Sequence, residues 1–317
     1  NLFKLAMAAM DAQRGRKVLV TDSRNFPSDR FVLAGVAEHH KGQLRMVPAD
    51  PVDGIGPDSV RSLLADDVAL VAFSHVDFRS GVIADVKALT DQAHAAGALV
   101  LWDLAHSVGS VPIELDSLGV DLAVGCTYKY LNAGPGAPGF LYVRRDLQER
   151  LRNPVQGWWG VRNMFDMDAP YEPASGITRF MTGTPGVGGL AAVEEGAALI
   201  AEAGLTALRA KTVQLTEYLI ELADAWLTSL GFSVQSPRDS TRRGGHVVLR
   251  HDDAFRISAA AIGAGVITDA RPPDLMRLAP AALTTSFVDV WEGMSRLRDV
   301  VASNAHLALP DERARVT

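Results

Sequence analysis

Asp103 and Lys129 each close a short apolar run. Leu99-Val100-Leu101-Trp102 ends on Asp103, and Leu122-Ala123-Val124-Gly125-Cys126 leads into Thr127-Tyr128-Lys129. A buried strand surfaces at such a charge, and in open α/β sheets ligands bind outside the carboxyl ends of the strands. An acid and an amine at that edge can hold one pyridine ring between them. The acid keeps the ring nitrogen protonated and the amine joins an aldehyde as a Schiff base, which is the arrangement that lets pyridoxal phosphate act as an electron sink. By spacing alone the same two residues also suit solvated strand ends or a weak surface ion pair.

The elements that must position them follow from periodicity. From residue 17 to 143 short apolar runs alternate with longer helical patterns, the signature of βαβ units and a mostly parallel sheet. The runs predict strands over Lys17–Thr21, Leu44–Pro48, Val68–Phe73, Ala98–Trp102, Asp121–Cys126 and Phe140–Val143. Helices are expected over Asp29–His40, Ser59–Leu64, Ile83–Ala96 and Arg145–Leu151, with an amphipathic one before them ending near Gly15. Residues 152–186 are rich in Gly, Pro and Trp without periodicity, and a loop that long is usually functional. A long helical stretch, Gly188–Leu230 with a break at Gly204, leads into a second unit. That unit shows a strand at Val247–Arg250, a helix at Phe255–Ala264, a strand at Val266–Asp269 and a closing helix at Val288–Ala308.

Composition excludes several classes of function. At 317 residues, 48% hydrophobic and 21% charged, the chain has the makeup of a soluble globular protein of about two domains. No window supplies the run of about 18 uncharged apolar residues that a membrane span requires. A net charge of -6 with short, mixed basic stretches argues against a nucleic-acid surface. The single cysteine, Cys126, lies in an apolar run, reads as a packed thiol, and suits a reducing cytoplasm.

The text around the two charges narrows the reading. Asp103-Leu104-Ala105-His106 followed by Tyr128-Lys129-Tyr130-Leu131-Asn132-Ala133-Gly134-Pro135-Gly136 closely resembles the kynureninase family of pyridoxal-phosphate hydrolases. The resemblance implies an α/β fold of the PLP-dependent transferase type (fold type I): a large domain with a mostly parallel sheet, residues 1–200, and a smaller C-terminal α+β domain, 201–317. It implies pyridoxal 5'-phosphate as cofactor, a cytoplasmic homodimer with a shared active site, and hydrolytic Cβ–Cγ cleavage of L-kynurenine to anthranilate and L-alanine, with 3-hydroxykynurenine as a further candidate substrate.

The same resemblance distributes roles. Lys129 would carry the cofactor and move protons at Cα, Asp103 would pair with the pyridinium nitrogen, and His106 would lie at the cofactor. Tyr128 would hydrogen-bond the phosphate and relay a proton. Phe26-Pro27-Ser28-Asp29 matches the segment whose Phe stacks on the ring with Asp beside it; read by itself it is also a helix start with Ser28 as N-cap. Ser74 opens a loop over the cofactor in which Asp77 has no assigned role. Trp158 and Thr184 match further phosphate contacts contributed by the neighbouring subunit. Arg277 would grip the substrate α-carboxylate, work for which bidentate geometry favours arginine. No metal is implied.

Two departures stand out. In the family a Thr-Ser-Val or similar turn precedes the Asn-Leu that opens this sequence and cradles the phosphate, so the chain as written is expected to begin inside a domain and to bind the cofactor poorly. Ala281-Ala282-Leu283 stands where an aromatic is common after the arginine. The rival readings are another enzyme of the same fold, an aminotransferase or a desulfurase, and a non-catalytic scaffold. A desulfurase needs a mobile nucleophilic thiol, and Cys126 reads as fixed beside the lysine.

Overall fold

The computed structural model describes residues 1–310. Its first part alternates as the periodicity predicts: α1 (Leu2–Ala12), β1 (Val18–Asp22), α2 (Pro27–His39), β2 (Gln43–Val47), α3 (Pro57–Arg61), β3 (Val68–Ser74), α4 (Val86–Ala95), β4 (Leu99–Asp103), β5 (Leu122–Gly125), β6 (Phe140–Val143) and α5 (Arg145–Gln148). The strands form one six-stranded sheet in the order β2-β1-β3-β4-β5-β6. All neighbours in it are parallel except β6, which runs antiparallel to β5.

Helices cover both faces, so the strands are apolar on both sides and read as continuous runs. Alternation then sorts the side chains. Leu19, Leu70, Leu101 and Leu122 join α1 and α2 in one core, while Val20, Val71, Val100 and Trp102 join α4 in the other. Trp102 is fully buried, and its indole nitrogen donates to Thr90 Oγ1 at 3.2 Å. That bond ties β4, and so Asp103, to α4.

Residues 152–186 form an extended loop with only two short 3-10 turns, Trp158–Gly160 and Gly176–Phe180. Then come α6 (Val187–Ala203) and α7 (Leu205–Trp226), separated at Gly204, whose φ of 78° is readily reached only by glycine. The remaining elements are β7 (Ser233–Val234), β8 (Val247–Arg250), α8 (Ala254–Gly263), β9 (Asp269–Arg271), β10 (Leu275–Leu278) and α9 (Phe287–Ala302). They make an antiparallel sheet, β7-β8-β10-β9, packed on α7, α8 and α9 around a third core.

Several expectations need correction. The strand expected at Val266–Asp269 starts only at Asp269 and pairs with a strand, β10, that periodicity did not reveal. The closing helix stops at Ala302, followed by a 3-10 turn at Ala305–Ala308. Ser28 is not an N-cap: Pro27 takes the first helical position and Phe26 stands at the cap. Cys126 lies just beyond β5 and is half-buried rather than packed in the core.

Candidate active site

Parallel pairing brings the carboxyl ends of three strands level. Ser74 of β3 and Asp103 of β4 are register partners, and Val124 of β5 stands beside Asp103. The chain reverses direction of sheet growth at β1, which neighbours both β2 and β3. α2 begins there, and its first turn carries Asp29. This is the topological switch point at which α/β sheets bind ligands.

Asp103 and Asp29 meet across that point. Burial pushes the Asp103 carboxyl above its ordinary range, opposed by the Ala105 N–H at 2.7 Å and by Lys129. Burial, and then the charge and hydrogen bond of Asp103, push Asp29 up to about 8. Two carboxyls side by side in a low dielectric share a proton, because both cannot ionise cheaply. Ser74 Oγ donates to Asn25 Oδ1 at 2.8 Å and also bonds Asp103, so it braces the acid.

Lys129 lies four residues past β5, in the loop that α6 packs upon. Burial lowers its amine below the ordinary lysine value, with Cys126 and Asp103 pulling it back. Its Nζ stands 5.5 Å from the centre of the Tyr128 ring. Burial raises the Tyr128 hydroxyl, so the phenol stays protonated.

A cavity of about 650 Å³ opens between the two units. Phe26, His106, Tyr128 and Lys129 form one wall, and Asp269, Arg271, Arg277 and His246 the other. That volume is within the range of small-molecule sites. Arg277 Nη1 donates to the Phe78 carbonyl at 2.9 Å and to His106 Nε2 at 3.2 Å. Arginine has no acceptor, so His106 Nε2 must accept, which puts the ring hydrogen on Nδ1 and leaves the imidazole neutral. Burial, followed by Lys129, drives its pKa well below the ordinary value, in agreement. His246 is likewise neutral, lowered to about 3 by burial and then by Arg277 and Lys129.

These residues suit a pyridoxal-type group: a depressed amine, a buried acid pair with no basic side chain bonded to it, an aromatic ring at the wall and an arginine opposite. Residues 208–297 match the kynureninase C-terminal domain family, and residues 1–248 match the aminotransferase class-V family. A kynureninase of Pseudomonas fluorescens is 37% identical over 307 residues, covering 95% of this chain and 72% of that protein. The chain belongs to the kynureninase family. A kynureninase of Burkholderia pseudomallei is also 37% identical, over 96% of this chain and 73% of its own length. Among solved structures, a cysteine desulfurase from Thermococcus onnurineus NA1 superposes with a TM-score of 0.82 at 20% identity, covering 95% of this chain and 77% of that one. An alanine-glyoxylate aminotransferase from Nostoc sp. gives 0.70 at 20%, covering 94% and 79%. At such identity these share the fold, which is that of the class-V aminotransferases.

Within this family member the residues named from sequence divide in two. Phe26, Asp29, Ser74, Asp103, His106, Tyr128, Lys129 and Arg277 converge on the switch point and its cavity. Pro27 and Ser28 serve the start of α2. Trp158 and Thr184 are exposed and do not line the cavity, and Trp158 stacks edge-on against Trp159. Phe26 packs edge-on against Phe78 at 5.1 Å. Sequence reasoning missed Tyr130, His246, Asp269 and Arg271. Tyr130 sat in plain view directly after Lys129; Asp269 and Arg271 lie on a short strand whose face the pattern did not define, and His246 lies in the loop just before β8.

Proposed function

We propose that this chain hydrolyses the Cβ–Cγ bond of L-kynurenine, releasing anthranilate and L-alanine, with pyridoxal 5'-phosphate as cofactor. The observation that carries the reading is one cavity lined by a lysine of lowered basicity and an arginine, with the buried acid pair Asp29 and Asp103 within electrostatic reach of that lysine. Membership of the kynureninase family supports it.

Pyridoxal phosphate, when bound, supplies an electron sink for charge developing on the substrate. Lys129 would hold its aldehyde covalently and, once the substrate amine has taken that place, move the proton at Cα. A lowered pKa leaves more of that amine unprotonated near neutral pH. Asp103 would face the ring nitrogen, where a cation offsets the desolvation of a buried carboxylate. Arg277 would bind the α-carboxylate through its planar fork, held in place by neutral His106. Tyr128, kept protonated, would donate to Cβ.

Cys126 weighs against a desulfurase. Its Sγ donates to the Ala105 carbonyl at 3.6 Å, and burial raises its pKa, whereas a nucleophilic thiol needs the opposite. The reading extends to assembly. α6 buries only Gly196, while Val187, Leu190 and Leu199 stay exposed. A second copy packed around that helix would cover these side chains, and Trp158 and Thr184 would contribute to the partner's site in such a dimer. We assign residues 1–200 to a cofactor-binding domain, 201–317 to a smaller one, and the cytoplasm as compartment. No helix among the described residues is long and apolar enough to cross a membrane.

The test is to incubate the loaded protein with L-kynurenine and no keto acid and to follow anthranilate fluorescence. Sustained release is expected. Turnover that appears only on adding a keto acid would contradict hydrolysis and point to an aminotransferase.

A further inference from the structure

β9 and β10 pair antiparallel with Arg277 directly across from Asp269. Alternation along β9 puts Asp269 and Arg271 on one face, and the register adds Arg277 to it. On that face a single carboxylate oxygen, Asp269 Oδ2, accepts from both guanidinium groups: from Arg271 Nη2 at 2.7 Å and from Arg277 Nη2. Arg277 Nη1 meanwhile donates to the Phe78 carbonyl and to His106 Nε2. Three of the five N–H donors of Arg277 are therefore committed to the protein, and all three groups (Arg271, Arg277 and Asp269) line the cavity.

We propose that Asp269 is the positioning residue of the substrate-carboxylate site. It anchors the guanidinium of Arg277 from across the ladder, so that its remaining donors meet the α-carboxylate of the amino substrate in one orientation. Because the one carboxylate serves two arginines, the cluster keeps a net charge of about +1, matched to one anionic group. The inference rests on the assignment of Arg277 to that carboxylate under the proposed function.

Removing Asp269 has two opposed effects. Two unbalanced guanidinium groups would attract an anion more strongly. Without Asp269, however, Arg277 keeps only its Nη1 bonds to Phe78 and His106, so its Nη2 end is free to pivot and must be reordered on binding. Bidentate recognition depends on orientation as well as charge, so loss of the anchor dominates.

The test uses the loaded protein and two ligands, L-alanine and L-alaninamide, which differ only in the carboxylate. Each is titrated by its change in the visible spectrum, and the ratio of dissociation constants reads carboxylate recognition without requiring kynurenine cleavage. In D269A the preference for alanine is expected to fall about tenfold or more, through weaker alanine binding. D269E keeps the charge but moves the acceptor by one methylene, and its preference should fall by about threefold or more. A preference unchanged or raised in D269A overturns the proposal, as does a parallel loss of both ligands, which a merely structural hairpin would give. If D269A does not fold, an unchanged ratio in D269E overturns it. R277Q separates the two layers: a preference that survives R277Q would remove the carboxylate assignment itself, whereas its loss in R277Q but not in the Asp269 variants would remove only the anchor.

Discussion

At the scale of single residues, the site is governed by burial acting on charges that face one another. Asp29 keeps a proton up to about pH 8 in the folded chain, against an ordinary value of 3.8. Between those limits the folded state holds more protons than the unfolded one, so this group makes stability fall as pH rises through the window. In cofactor-free protein, D29N is expected to flatten that decline, raising the melting temperature at pH 8 relative to pH 5 when compared with the parent; a pH dependence identical to the parent's would count against the shared proton. Lys129 is the opposite case, a base made less basic by its surroundings. K129A should lower anthranilate formation by about 10²–10⁴-fold through lost proton transfer alone, measured at saturating kynurenine with folding checked by circular dichroism.

At the scale of elements, the loop that carries Lys129 is held from below by the sheet and from above by α6. A Cβ on Gly196 would stand 2.2 Å from the Leu131 carbonyl oxygen and 3.0 Å from the Ala133 nitrogen, both backbone atoms of the segment just after Lys129. Alanine gains about 1 kcal/mol of helix propensity but overpacking costs about 1–3 kcal/mol, and backbone gives way poorly. G196A should therefore lower the melting temperature and reduce cofactor occupancy, read as visible absorbance per subunit. The large sheet was legible in sequence because strands buried on both faces, such as Val68–Ser74, are unbroken apolar runs bounded by turns. The positions of Asp103 and Lys129 at the sheet's edge were legible because Asp103 ends such a run and Lys129 follows one by four residues. The β9–β10 ladder was not: its strands are short, Pro272-Pro273 interrupts the stretch between them, and Asp269 and Arg271 look like ordinary polar turn residues until register places them opposite Arg277. The reading of Ser28 failed because Pro27 at the first helical position moves the cap back to Phe26.

At the scale of the whole molecule, one cavity joins two folded units, and one apolar helix faces outward. α6 exposes Val187 at 74% and Leu199 at 51% on different sides of the helix, and a helix apolar around its circumference asks for a partner to cover it. In the proposed dimer, L199D is expected to shift the sedimentation toward monomer and to lower activity with it; a protein already monomeric at micromolar concentration would contradict the shared site. Mixing K129A with W158A under conditions of subunit exchange should restore activity that neither variant shows alone, because a hybrid contains one site with both residues intact.

Everything chemical depends on the amine of Lys129 binding the cofactor's aldehyde. The direct measurement is borohydride reduction of the protein incubated with pyridoxal phosphate, followed by peptide mass mapping. The expected result is a single pyridoxyl adduct on the peptide containing Tyr128-Lys129-Tyr130. An adduct on another lysine, or none, would contradict it.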